Sequence, residues 1–250
     1  MAETTETGLP RAVTIAWGMQ EVPHRGPNRG LSHERIVAAA IKIADAEGLT
    51  AVTMQAVAKS LGFTTMSLYR YLSSKEELLR LMQDTAFTMP EKVTLPTDWR
   101  EALRTWAGII REAYRAHPWA LDIPRGQVAV LMPNNVRAAD LGLEAMKTLP
   151  LEDTEKIGVI LVLSQHVAAS VELEQNLAEE GALDVTTEGA EMMSEVITPT
   201  RFPHLVPVME AGDYVPTAET SQAEIEEGVD PEYDLGLDLI ISGLEQKLHR

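Results

Sequence analysis

The chain has 250 residues, of which 45% are hydrophobic, so it can bury one large core or two smaller ones. It contains no cysteine, which excludes a disulfide framework, thiolate zinc sites and a cysteine nucleophile. The net charge of −17 arises entirely beyond residue 89: residues 1–89 hold nine basic and nine acidic side chains, and residues 90–250 hold twelve and twenty-nine. A neutral first part and an acidic remainder indicate two domains with different roles.

No stretch of about 18 consecutive apolar residues is present, so no transmembrane helix is predicted. The first ten residues are acidic and polar and lack the basic-then-apolar pattern of a signal peptide. We therefore expect a cytoplasmic protein with no membrane partner.

Residues 1–31 contain three prolines and several glycines and are predicted to form a flexible N-terminal extension. Arg25 and Arg29 lie within it. The extension is therefore either a solvated tail or a basic arm that follows DNA phosphates or enters a minor groove.

Residues 32–89 are predicted to form a helical domain. Each helix is expected to begin at a hydroxyl residue that can cap it, and Ser74 with Glu77 has capping-box spacing. The predicted helices cover residues 32–47, 53–61, 64 or 65–72, and 74–88.

The second of these helices, a turn and the third helix have the spacing of a helix-turn-helix. Ala58 is small where the two helices would cross, and Gly62 suits a left-handed turn. Leu61, Phe63 and Leu68 are expected on the buried side. A short third helix that begins with small polar groups suits entry into a DNA major groove.

Residues 32–88 resemble the DNA-binding domain of the tetracycline-repressor (TetR) family of bacterial regulators. That family usually has a Leu-Tyr-x-His-Phe-like segment followed by Lys-Glu-x-Leu, and here residues 68–72 read LYRYL and residues 75–78 read KEEL. Tyr71 stands where the family often has histidine, and Leu72 where it often has phenylalanine. Both changes preserve the expected roles of a phosphate donor and a core residue.

The outward polar positions of the third helix and the resemblance together give the candidate DNA-binding residues. By the resemblance, the two tyrosines and the lysine contact phosphates, the residues at the start of the second helix contact phosphate or a base, and Thr65, Met66, Ser67 and Arg70 face bases. The candidates are Thr53, Gln55, Thr64, Thr65, Met66, Ser67, Tyr69, Arg70, Tyr71 and Lys75.

Beyond residue 89 the pattern remains helical, and no convincing alternating strand pattern occurs. Helices are predicted over residues 98–116, 135–148, 152–179 and 232–248, while residues 181–231 are acidic, rich in proline and partly loop. The expected fold is all-α, with an N-terminal three-helix helix-turn-helix DNA-binding domain and a larger helical domain over residues 90–250. The resemblance implies that the larger domain binds a small effector and dimerises.

The helix over residues 155–178 is apolar on more than one face, and the last helix has a second apolar stripe. These two helices are either buried within one subunit or paired across a two-fold axis in a four-helix dimer interface, as in the family. A homodimer predicts a pseudo-palindromic operator.

The segment AHPWALDIPRGQVAVLMPNN at residues 116–135 resembles the tetracycline repressor's own subgroup. Its residues and a few others could line an effector cavity or simply pack in the core, and the two polar ones on the long helix could instead satisfy one another at the dimer seam. The tryptophans near His117 favour an aromatic or largely apolar effector. The candidates are Trp106, His117, Trp119, Met132, Asn134, Asn135, Gln165 and His166.

The six histidines show no i, i+4 ligand pair, so no metal site and no cofactor are predicted. The favoured function is a repressor that binds a DNA operator as a homodimer and is released by a small-molecule effector. The alternative is an all-helical enzyme or small-molecule carrier that contains a helix-turn-helix-like bundle. Because no convergent acid–base set can be assembled, we expect a regulator and not an enzyme.

Overall fold

The computed structural model describes residues 8–19, 30–180, 186–211 and 222–249. Within these ranges the chain forms α-helices and no β-strand, which confirms the all-α prediction. The helices are α1 Arg11–Ala16, α2 His33–Glu47, α3 Met54–Leu61, α4 Thr65–Leu68, α5 Lys75–Ala86, α6 Trp99–Ala116, α7 Pro133–Ala145, α8 Asp153–Glu180, α9 Thr187–Val196, α10 Val206–Glu210 and α11 Gln222–Leu248.

The predicted helix starts are confirmed by their hydrogen bonds. The hydroxyls of Ser32, Thr53 and Ser74 each accept a hydrogen bond from the backbone N–H three residues later. The carboxylate of Asp98 caps α6 in the same way. Such caps satisfy N–H groups that have no partner within the helix. Gly62 ends α3 at φ +75° and ψ 27°, a left-handed conformation that favours glycine.

Helix α4 is shorter than predicted, since it ends at Leu68 and the next three residues form a turn. In that turn the N–H of Tyr71 donates to the carbonyl of Leu68 at 2.8 Å. This tightening places both Leu68 and Leu72 in the core, fully buried. The expectation that Phe63 is buried is wrong, because its side chain is exposed, whereas Leu68 and Leu72 are buried as expected.

The prediction of a flexible extension is wrong for residues 11–16, which form helix α1. Ala12 and Val13 are buried, and α1 packs against α5. The apolar side chains of α1 are removed from water only when the helix packs against the rest of the chain, so packing explains why the helix forms. The arm containing Arg25 and Arg29 lies outside the described residues.

The contacts divide the chain into two units, residues 1–168 with 243–250 and residues 169–242. This division does not coincide with a boundary at residue 89, because the segment after α6 shares its core with the helix-turn-helix. Trp119, Ala120, Ile123 and Met132 belong to the same cluster of buried residues as Leu68 and Leu72. The functional division at residues 89 and 90 stays a prediction.

Helix α11 begins at Gln222, ten residues before the predicted start, and Pro231 lies inside it. Helix α8 is the one described helix that by length and composition alone could cross a membrane, over residues 153–178. In α8, Leu163, Val167 and Val171 are nevertheless buried in protein, whereas Leu161 and Val162 are more than half exposed. The helix therefore has one face in the core and an apolar face that the described part of the chain leaves uncovered.

Candidate nucleic-acid interface

The segment from Thr64 to Tyr71 lies at the surface because two leucines anchor it. Leu68 and Leu72 are fully buried, whereas Thr64, Met66, Tyr69 and Arg70 around them are exposed and Tyr71 packs partly against the core. Met66 is 73% exposed and Tyr69 is 47% exposed, although both are large and carry much apolar surface. Exposed apolar and aromatic groups beside an arginine are typical of a surface that contacts a partner.

The hydroxyl groups of α4 lie next to one another. The Oγ1 atom of Thr64 and the Oγ atom of Ser67 are 3.0 Å apart and share a hydrogen bond. One of the two must donate, so the pair still offers a donor and several lone pairs to a partner. Thr65 is half-buried beside them, and its carbonyl accepts from the N–H of Tyr69.

The start of α3 adds a second group of exposed polar side chains. Thr53 accepts a hydrogen bond from the N–H of Ala56 at 3.0 Å, so its own hydroxyl proton remains available to donate. Gln55 is exposed in the first turn of the helix. None of the ten candidate DNA-binding side chains is buried: seven are exposed, and Thr65, Ser67 and Tyr71 are half-buried.

The turn between α4 and α5 is fixed by contacts that the sequence pattern does not show. The carbonyl of Tyr71 lies 2.9 Å from Nη2 of Arg11 and 2.9 Å from Nε2 of His33, and the rings of Tyr71 and His33 meet edge-on. Glu77 is only 5% exposed, and its Oε2 accepts from Nη1 of Arg11 at 2.8 Å and from the N–H of Ser73 at 2.6 Å. The capping carboxylate thus reaches Ser73 and is neutralised by an arginine from α1.

Lys75 is exposed in the first turn of α5, where helix N–H groups and the macrodipole attract anions. Two glutamates occupy the same turn and would repel a phosphate. Both have basic partners: Glu77 pairs with Arg11, and Glu76 pairs with Arg80 at 2.6 Å, which lowers the pKa of Glu76. The local charge beside Lys75 is therefore less negative than its sequence suggests.

The candidate effector residues do not form one cluster. Trp106 is fully buried in α6, and its Nε1 donates to the carbonyl of Ala138 in α7 at 2.7 Å. Met132 is buried in the core that includes the helix-turn-helix. On α8, Gln165 is exposed and His166 is half-buried, and Asn135 is half-buried at the start of α7.

Two of these residues, His117 and Trp119, contact α2. Nδ1 of His117 lies 2.8 Å from Oδ1 of Asp45, and Nε1 of Trp119 donates to the same oxygen at 2.7 Å. Sequence reasoning missed Asp45, because an aspartate just outside the apolar stripe of α2 looks like any solvated carboxylate. The contact joins residues 72 and 74 positions apart, so only the fold brings them together.

A third candidate, Asn134, joins α7 to α5. Its backbone N–H donates to Oδ1 of Asp84 at 2.9 Å, and its side-chain amide donates to the carbonyl and to Oδ2 of Asp84. Its own Oδ1 accepts from the N–H of Met89 at 3.0 Å. Burial raises the pKa of Asp84, and the hydrogen bonds from Asn134 oppose that shift. Next to it, the buried Gln83 amide donates to two backbone carbonyls in residues 120–123.

Among the described residues, no group of three or more His, Cys, Asp or Glu side chains could hold a metal ion. His33 and His117 instead contact Tyr71 and Asp45 as described above. The polar groups brought together by the fold therefore form an exposed surface on α3 to α5 and a set of hydrogen bonds, from exposed to buried, that link α2 and α5 to residues 117–134.

Two family models match the sequence. The one described as "Bacterial regulatory proteins, tetR family" matches residues 36–82, and the one described as "Tetracyclin repressor-like, C-terminal domain" matches residues 93–248. The second match alone covers more than half of the chain.

Relatives match over almost the whole length. The HTH-type transcriptional repressor DrrR1 of Streptomyces coeruleorubidus is 34% identical over an alignment of 256 residues, which covers 97% of this chain and 88% of DrrR1. The crystal structure of apo ActR from Streptomyces coelicolor is similar with a TM-score of 0.66 and 25% identity, covering 88% of this chain and 100% of that chain. ActR in complex with actinorhodin gives a TM-score of 0.65 and 26% identity, covering 86% and 96%.

Proposed function

Since the chain belongs to the TetR family of bacterial regulatory proteins, we propose that it is a repressor released from its operator by a small aromatic or largely apolar effector. It is a ligand-responsive, DNA-binding transcriptional regulator. The repressing direction follows DrrR1, whose name describes a repressor. As in soluble regulators of the family, the proposed site of action is the cytoplasm.

The observation that carries this proposal is the exposed face of residues 64–71. Met66 and Tyr69 are held outward by two fully buried leucines, which is costly in water unless a partner covers them. On DNA, we assign base contacts to Thr65, Met66, Ser67 and Arg70, with the methionine able to cover a thymine methyl group. Thr64 joins this surface through its hydrogen bond with Ser67.

Phosphate contacts are assigned to the rim of this face. Tyr69 and Tyr71 lie in the turn after α4 and Lys75 begins α5, while Thr53 and Gln55, at the start of α3, are assigned to a phosphate or a base. Phosphate contacts fix the position and orientation of a protein on the duplex, whereas base contacts select the sequence. The hydroxyl proton of Thr53 and the ammonium group of Lys75 are suitable donors, because neither is consumed by the described intramolecular caps.

The larger domain is proposed to hold the effector. ActR is known in complex with actinorhodin, and a comparable aromatic or apolar molecule fits the apolar residue types around α6 and α7 here. We propose that Trp106, His117, Trp119, Met132, Asn134, Asn135, Gln165 and His166 line or border the effector site.

The hydrogen bonds already described give three of these residues a second role. His117, Trp119 and Asn134 are bound to Asp45 and Asp84 of the first domain. An effector that contacts them must compete with those links or reinforce them. It would thereby shift the population between DNA-competent and DNA-incompetent forms by its differential affinity for the two.

The repressor acts as a homodimer. Helix α8 exposes Ile157, Leu161 and Val162, and α11 exposes Leu235 and Leu239, so both carry apolar surface that the single chain does not cover. A second copy that covers these faces would form a four-helix interface, and its two-fold symmetry requires a pseudo-palindromic operator.

The proposal is tested by incubating the purified protein with fragments of its own genome at about 150 mM salt, which weakens non-specific binding. Enrichment of a pseudo-palindrome that is lost with Arg70→Ala supports the assignment. Arg115→Ala, on α6, is the matched control for the change in charge. Recovery of no specific sequence by protein that has been refolded free of ligand would refute it.

A further inference from the structure

Helix α1, which precedes the helix-turn-helix, is held at both of its ends. At its start, Arg11 donates from Nη1 to the buried carboxylate of Glu77 and from Nη2 to the carbonyl of Tyr71. Tyr71 ends the turn after α4, and Glu77 lies in the first turn of α5. One guanidinium therefore bridges the two ends of residues 71–77, a segment that includes the assigned phosphate contacts Tyr71 and Lys75.

The end of α1 contacts a different part of the chain. Nε1 of Trp17 donates to the carbonyl of Leu131 at 2.8 Å. Leu131 ends a 3₁₀ turn, Ala129–Leu131, and α7 begins two residues later at Pro133. The indole is thus fixed to the segment that also carries Asn134 and its links to Asp84.

Between its two ends α1 is embedded in protein. Val13 is 3% exposed and belongs to the core cluster shared by the helix-turn-helix and residues 119–132. Ala12 and Thr14 are buried as well. Helix α1 is therefore packed against the protein between its two ends, and we expect a displacement at one end to reach the other.

We propose that α1 is a coupling strap, which connects residues 71–77, with their assigned phosphate contacts, to the segment before α7. Arg11 and Trp17 are then positioning residues for operator binding. This inference rests on the proposed function. Helix α5, through Asp84 and Asn134, already connects the DNA-binding residues to the proposed effector site. Helix α1 is a second such connection.

The strap has a defined consequence for DNA binding. In a symmetric dimer the spacing of the two recognition surfaces must match the half-site spacing of the operator. Breaking the contacts at either end of α1 frees the position of the recognition surface, which must then be ordered when DNA binds. Loss of the Arg11 contacts or of the Trp17 contact therefore lowers the affinity for the operator. It also weakens the discrimination between operators of different half-site spacing.

The test uses the full-length protein and the operator fragment that the selection from its own genome yields. Arg11→Met removes the guanidinium but keeps the apolar stem, and Trp17→Phe removes the N–H donor but keeps an aromatic ring. Arg115→Met is the matched control, since Arg115 has similar exposure and also forms a carboxylate pair. Affinity is measured for the native operator and for versions one base pair longer and shorter, and circular dichroism verifies folding.

We expect each strap variant to lose about 5- to 10-fold in affinity and to discriminate spacing less than the wild type. The double variant should bind the operator no more weakly than the weaker of the two single variants, because both substitutions break the same connection. Wild-type affinity and discrimination in both single variants would overturn the strap.

Two further outcomes would also overturn it. Additive losses in the double variant would mean two unrelated contacts. A loss in Arg11→Met alone, with the slope of log K against log salt smaller by about one, would mean that Arg11 is itself a phosphate ligand. If the wild type binds no operator at all, the proposed function fails first, and that result is distinct from specific wild-type binding with unaffected variants.

Discussion

Replacing Asn134 by alanine should destabilise the protein by about 3 kcal/mol at neutral pH. The substitution removes three side-chain hydrogen bonds: two from the amide to Asp84, at 2.9 and 3.2 Å, and one accepted from the N–H of Met89 at 3.0 Å. A neutral hydrogen bond contributes about 1 kcal/mol, and one to a charged group contributes about 1.5–3 kcal/mol. The backbone bond from residue 134 to Asp84 survives the change.

The loss should grow as the pH rises from below the ordinary aspartate pKa through the pKa of Asp84 in the folded protein. Burial raises the pKa of Asp84 above its ordinary value, so the stability that this group contributes is fully present below the unfolded pKa and is lost as the pH rises through the folded pKa. In Asn134→Ala the ionised carboxylate also loses a donor, which raises its folded pKa further. The variant therefore loses about 1 kcal/mol more unfolding free energy where Asp84 is ionised than where Asp84 is protonated.

The measurement is urea unfolding at a fixed protein concentration and at several pH values, because the stability of a dimer depends on concentration. Asn135→Ala makes the same change one position along, also on a half-buried side chain, and should alter stability by less than about 0.5 kcal/mol. Equal losses for the two variants, or a loss for Asn134→Ala that does not vary with pH, would refute the role given to the Asp84 link.

Gly142→Ala should destabilise the protein by about 1–3 kcal/mol, because the added Cβ would lie 2.9 Å from Cγ1 of Ile160. Gly158→Ala should stabilise it by about 0.5–1 kcal/mol, because a Cβ there meets nothing within 4 Å and alanine favours the helix. Thermal unfolding measures both. Leu161→Glu should dissociate the dimer in sedimentation experiments, since Leu161 is 56% exposed on the apolar face of α8; a variant that stays dimeric would place the interface elsewhere. Lys75→Ala should weaken binding evenly across operator sequences and reduce the salt slope by about one, and a change in sequence preference would instead indicate a base contact.

The helix-turn-helix could be predicted from the sequence because local chemistry determines it. The caps at Ser32, Thr53 and Ser74 and the left-handed Gly62 depend on residues within a few positions of one another. The anchoring of residues 64–72 was predicted at Leu68 from helical spacing and at Leu72 from the family resemblance, and only Phe63, expected on the buried side, is exposed. Phe63 lies between α3 and α4, where helical periodicity does not determine the direction of a side chain.

The long-range polar contacts could not be predicted, because they join residues far apart in the sequence. Arg11 and Glu77 are 66 positions apart, and Asp45 and His117 are 72 apart. Helix α1 was missed because its six residues lie between proline- and glycine-containing stretches and are stable only when packed against α5. Short helices of this kind leave a weak periodic signal.

The division of charge bears on how such a protein finds its operator. Residues 90–250 carry the whole excess of −17, so long-range electrostatics repel DNA while the assigned contacts in residues 53–75 attract it only at close range. The repulsion lowers the affinity for every DNA sequence, so occupancy at physiological salt requires the base contacts that only the operator supplies. The acidic part of the chain thus keeps non-specific sites weakly occupied, while the discrimination between sequences comes from the base contacts themselves.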